Sequence, residues 1–153
     1  MKRIKLYSPV ETVEVEVGGN VAELRLDLSK ERLEDVADAC IKAKSKVATL
    51  EALAAKAADK RDRAEIDRKV SKAIEPAVRL VLGDAQFDEV MELCGCDGSM
   101  GAGTRNLVVL PLLALVMECI AKRNEVIGES KKIIGTIAAR PEGDEDALRP
   151  DED

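Results

Sequence analysis

The chain has 153 residues, a net charge of −6, 46% hydrophobic residues but only 1% aromatic ones, and neither His nor Trp. That length fits one domain able to bury its own core. Without histidine no Ser–His or Cys–His catalytic couple can form, and with Tyr7 and Phe87 as the only rings the usual platforms for stacking single-stranded bases are missing. The charge is uneven: residues 141–153 hold seven acids and one base, Arg149, leaving 23 of each sign in the remainder. A neutral body offers no general nucleic-acid surface.

The chain opens with strand patterning. Val13, Val15 and Val17 alternate with Thr12, Glu14 and Glu16; after Gly18-Gly19-Asn20 the alternation resumes as Ala22, Leu24, Leu26 and Leu28. Two period-two runs around such a turn predict a β-hairpin with one apolar face. Ile4 and Leu6 are candidates for a short third strand. A lone hairpin is marginal in water, so its apolar face must dock on helices of the same chain or on a neighbour.

Ser29 is placed to cap a long helix, with Glu31 and Glu34 in its first turns. Leu33, Val36, Cys40, Ala43, Val47, Leu50, Ala54 and Ala57 then recur at three- and four-residue steps, a heptad-like seam that favours intramolecular bundle packing over a dimeric coiled coil. Residues 59–69, DKRDRAEIDRK, read as an exposed helical extension or a charged turn. Ile66, Val70, Ile74, Val78, Val81 and Leu82 give a second apolar pattern, within which Pro76 should start or kink a helix. Gly83 ends it, and Asp84 can cap a short helix through Phe87, Val90, Met91 and Leu93. Residues 107–117, LVVLPLLALVM, carry no charge; the run is broken by Glu118 and is shorter than the roughly 20 residues a bilayer needs, so it predicts a buried or partner-seeking helix with Pro111 at its first position. Gly128 and Gly135 weaken a last stretch containing Ile127, Ile133, Ile134 and Ile137. The acidic, apolar-poor residues 141–153 are expected to be disordered. The expected fold is therefore α+β, mostly α: a hairpin region over 1–28, a helical domain of four to five helices over 29–140, and the tail.

The stretch GCDGSMGAGT, residues 95–104, is the one place where a ligand site could be sought. A phosphate loop needs a lysine after its last glycine, but Gly103 is followed by Thr104 and Arg105. The dinucleotide fingerprint fails at its third glycine, where Asn106 stands; a backbone-amide anion nest near Thr104 stays open. Cys94 and Cys96 form a C-x-C pair and are the candidate metal ligands, but a closed zinc site wants four. Cys40 and Cys119 sit on apolar helical faces and read more simply as small core residues. Basic residues and Pro9 precede the hairpin without an apolar signal core, so the thiols are expected to be reduced in a cytoplasmic protein. No catalytic constellation and no cofactor are expected, and the glycine stretch reads as a flexible connector.

The order of parts resembles the small tail assembly chaperones of long-tailed phages and prophages, particularly those of Gram-positive hosts. VEVEVGGNVAELRLDLS leads into a long helix, IEPAVRLVLGDAQFDEVMEL follows, and a last helical segment closes residues 12–127; the Leu82-Gly83-Asp84 step is the closest local match. The resemblance implies a cytoplasmic, non-enzymatic protein with no catalytic residues to carry over. It would coat the aggregation-prone tape measure protein and recruit tail tube subunits during assembly, without entering the finished particle and with neither a nucleic acid nor a membrane as partner. The candidate partner-binding residues are Leu107, Val108, Leu110, Leu112, Leu113 and Val116 on the late helix, with Val47 and Leu50 on the seam. Homo-oligomerisation is compatible with this role, and a structural or connector protein of the particle and a cysteine-based zinc-binding regulatory module remain open as alternatives.

Overall fold

The computed structural model describes residues 1–139. In chain order it has two strands, β1 (Val10–Val17) and β2 (Asn20–Asp27), and four helices, α1 (Lys30–Ala54), α2 (Lys60–Leu82), α3 (Asp84–Leu93) and α4 (Ala102–Ala138). The fold is α+β and mostly α. The expectation for residues 141–153 lies outside the described residues.

The hairpin pairs antiparallel from Val17↔Asn20 back to Val10↔Asp27. Its turn is Gly18-Gly19, with φ of 60° and 131°, a backbone region that residues carrying a Cβ rarely adopt. Period two then sorts the faces. Leu24, Leu26 and the following Leu28 are buried, while Val13, Val15 and Val17 on the same face of β1 are only half-buried. The inner face is thus well covered under β2 and only partly covered under β1. The third strand expected from Ile4 and Leu6 is not present: both lie outside any strand and are 68% and 78% exposed. The Leu28 amide donates to the Pro9 carbonyl at 2.7 Å and the Tyr7 hydroxyl donates to the Leu28 carbonyl. Proline has no N–H with which to continue the ladder, and pairing stops there.

The helices follow from their apolar stripes. α1 buries Leu33, Val36, Cys40, Ala43 and Leu50 against α2, so the seam packs within the chain; it stops at Ala54, leaving Ala57 in the link to α2. Ser29 is the N-cap residue through its carbonyl, which accepts from Arg32 at 3.0 Å and Leu33 at 2.8 Å, while its side chain makes no cap bond. The charged stretch 59–69 proves to be the N-cap and first turns of α2, with Asp59 Oδ1 accepting from the Asp62 amide at 2.8 Å. α2 is the central element, touching α1, α3, α4 and β2. Pro76 lies inside it rather than at a helix start.

α4 departs most from expectation. It is one helix of 37 residues, about 55 Å long. It begins at Ala102, not at Pro111, and runs through Gly128 and Gly135. Asn106, Val109, Leu112, Leu113, Val116, Cys119, Ile120 and Arg123 form one buried face, and α2 is its main neighbour. Packing of such a face outweighs local propensity. Pro111 sits on the exposed side, where its missing N–H removes a single helical bond.

Candidate functional site

Two polar links hold α4, one at its start and one past its middle. At its start, Arg105 pairs with Glu75 of α2 and donates from Nη1 to the Asp97 carbonyl at 3.1 Å, while Ser71 Oγ donates to Glu75. Burial alone would raise the Glu75 carboxyl, but the bonds from Arg105 and Ser71 outweigh it and hold the group below the usual carboxylate range. Farther along, Arg123 Nη2 donates to Glu11 Oε2 at 2.8 Å and Arg123 Nε to the Ser8 carbonyl at 3.2 Å; the two side chains are 8% and 27% exposed. This pair joins α4 to the hairpin. Sequence reading missed it, although its signal was present: Glu11 shares the phase of Val13 and Val15, and Arg123 that of Val116 and Ile120.

The first residues of the glycine stretch form the C-terminal stop of α3. Gly95, at φ 72°, ends that helix: its amide bonds the Glu92 carbonyl at 2.9 Å and the Cys96 amide bonds the Met91 carbonyl at 2.8 Å, a Schellman stop. Asp97 Oδ1 accepts from the Ser99 amide at 2.8 Å. Gly103 already belongs to α4, so the connector is shorter than the expected 95–104. An open cleft of about 460 Å³ beside it is lined by Arg79, Asp88, Glu92, Cys96, Asp97 and Arg105 among others. Its cations are matched: Arg79 pairs with Asp84 at 3.2 Å and Asp88 at 3.1 Å, and Arg105 with Glu75.

Cys94 is half-buried and Cys96 buried. Among the described residues no three His, Cys, Asp or Glu side chains gather into a cluster fit for a metal ion, so the pair gains no further ligands there. Burial pushes the Cys40 thiol up to about 11. It raises Cys94 and Cys119 too, with Cys96 adding to the first and Glu11 to the second. Raised thiols are poor nucleophiles at neutral pH.

The candidate partner-binding residues divide sharply. Leu112, Leu113, Val116 and Leu50 are core, closed to a partner in this fold, because the face of α4 they share with Val109 and Ile120 is the one turned inward. Leu107 is 76% exposed; Val108, Leu110 and Val47 are half-buried. Leu107 and Val108, with Pro111 and Leu115, line an apolar groove of about 350 Å³ whose other wall is Val15 and Val17 of β1. Arg123 is the last buried residue of α4; the 15 residues beyond it, 124–138, extend about 22 Å and carry Ile133, Ile134 and Ile137, each about half exposed. These three isoleucines were not among the expected partner residues, although their helical spacing was visible.

By length and composition α4 could also cross a membrane: its most apolar window has a mean hydropathy of 1.7, with 39% of that window buried. The helix is longer than the uncharged run 107–117 from which the sequence reading judged the span. No family model matches this chain, and neither a curated protein nor a solved structure does.

Proposed function

We propose that this chain is a non-enzymatic phage tail assembly chaperone, acting in the host cytoplasm, that holds an aliphatic helical segment of the tape measure protein and helps to recruit tail tube subunits. The observation that supports the reading is the uncovered aliphatic surface of α4: Leu107 at one end and Ile133, Ile134 and Ile137 at the other. An amphipathic client helix is read by such a stripe at three- and four-residue spacing. The raised thiols and the matched charges of the cleft near Gly95 favour binding over chemistry.

The test is co-expression with the tape measure protein of the same prophage. The soluble fraction of that client is expected to rise with the chain present and to fall back when Ile133, Ile134 and Ile137 are all changed to Lys. Equal insolubility with and without the chain overturns the proposal.

A further inference from the structure

We infer that the N-terminal segment Lys2–Leu6 of one copy adds as a third strand to the free edge of β1 in a second copy. The acceptor is half of a sheet. Arg25 exchanges both its backbone groups with the Gln86 side chain, at 2.8 Å each, so the outer edge of β2 is partly occupied by α3. Arg25 is opposite Thr12. Since Arg25 directs its N–H and C=O outward, Thr12 does so on the other side, and Glu14 and Glu16 follow two residues on at a time. Among the described residues these three meet no backbone partner. An open strand edge is a template for another strand.

The donor matches the acceptor on both faces. In an extended segment Ile4 and Leu6 share one side and Arg3 and Lys5 the other. Ile4 and Leu6, exposed here, would enter the groove of Val15, Val17, Leu107, Pro111 and Leu115. Arg3 and Lys5 would then lie along the solvent face beside Glu14 and Glu16, the favourable arrangement for cross-strand charges. Pairing of β1 with β1 of a second copy would instead set these acids against each other. The donor must come from another molecule: Arg3, Ile4 and Lys5 lie against Glu129, Lys132 and Ile133, about 20 residues along α4 from the groove at Pro111, or roughly 30 Å. Tyr7 and Pro9, bonded to Leu28, anchor the segment at that far end. The inference stands whether or not the chain serves a tail protein.

The test is sedimentation velocity over a micromolar concentration range. The intact chain is expected to associate. The variants R3E/K5E and E14K/E16K, which alter exposed side chains only, should each weaken association about tenfold with unchanged helical circular dichroism, and removal of residues 1–6 should abolish it. An equimolar mixture of the two charge variants should restore it, because acidic donors then meet basic acceptors. The inference is overturned by a chain that stays monomeric throughout, by association indifferent to these changes, or by a mixture no tighter than its parts. Association that ignores Arg3 and Lys5 but strengthens when E14K/E16K is mixed with the unaltered chain would point to β1-to-β1 pairing and also overturn it.

Discussion

Replacing Arg123 with Met tests whether α4 is fastened to the hairpin by charge. The change removes the bonds to Ser8 O and Glu11 Oε2 and leaves the Glu11 carboxylate without a cation. Breaking a fully buried pair costs about 3–5 kcal/mol. Glu11 is 27% exposed and can turn partly to water, which brings the expected loss to about 2 kcal/mol. The reverse change, Glu11→Leu, strands a guanidinium that is only 8% exposed; the Ser8 carbonyl still accepts from it, so the expected loss is about 3 kcal/mol. The double variant replaces the pair with apolar groups of similar volume beside Leu26 and Cys119. It should lie within about 1 kcal/mol of the parent, leaving a coupling of about 4 kcal/mol. Urea unfolding followed at 222 nm gives each value, and in a melt the Arg123→Met loss should appear as about 6 °C. Single losses that simply add in the double variant would refute the fastening role.

The Schellman stop predicts that Gly95→Ala, at positive φ, lowers stability by about 1 kcal/mol, whereas Gly98→Ala, with open space around it, is near neutral; paired urea titrations separate them. Gln86→Leu removes both side-chain bonds to the Arg25 backbone and should destabilise by about 1–2 kcal/mol, with faster amide exchange at Arg25. The Glu75 carboxyl is depressed in the folded state, so its contribution is present above its unfolded pKa and lost as pH falls through the lower folded value. Stability measured from pH 6 down to pH 3 should therefore fall less steeply in Glu75→Gln than in the parent. Disulfide reagents at pH 8 should label half-buried Cys94 first and reach Cys40, held up at about 11, only on unfolding; labelling of Cys40 at the Cys94 rate would contradict its burial.

How far the sequence could be read depended on contrast between neighbouring residues. The hairpin was legible because Val and Glu alternate and because the paired glycines mark one turn, which sets the whole register. α2 was legible because Val70, Ile74, Val78 and Val81 stand out against charges. In α4 the contrast disappears: Leu107 and Leu112 look alike in an unbroken apolar run, so the pattern could not say that α2 covers the second and leaves the first bare. The polar residues that set the phase, Asn106 and Arg123, are buried, against the usual rule for their types. Pro111 misled because proline is read as a helix start, while a packed face can carry a helix past it. Gln86 could not be recognised at all, since its role depends on a strand edge 61 positions away.

A helix apolar around most of its surface is stable in water only where more than one side is covered. In α4 the chain covers one side, chiefly with α2 and in smaller part with α1 and the hairpin. The remainder is not uniform. Near Leu107 the bare surface adjoins an open strand edge and acidic side chains, which suits an extended basic segment such as Lys2–Leu6. Beyond Arg123 no sheet adjoins among the described residues, only the segment Arg3–Lys5 lies against Ile133, and Ile133, Ile134 and Ile137 present a stripe that suits another helix. Under the proposed strand addition the first surface is satisfied by a second copy, so the projecting end is what remains for a client. The acceptor groove and the client stripe would then lie at opposite ends of one helix, and a chain that donates Lys2–Leu6 withdraws Arg3, Ile4 and Lys5 from Glu129, Lys132 and Ile133, so that donation to a neighbour uncovers the surface a client would take.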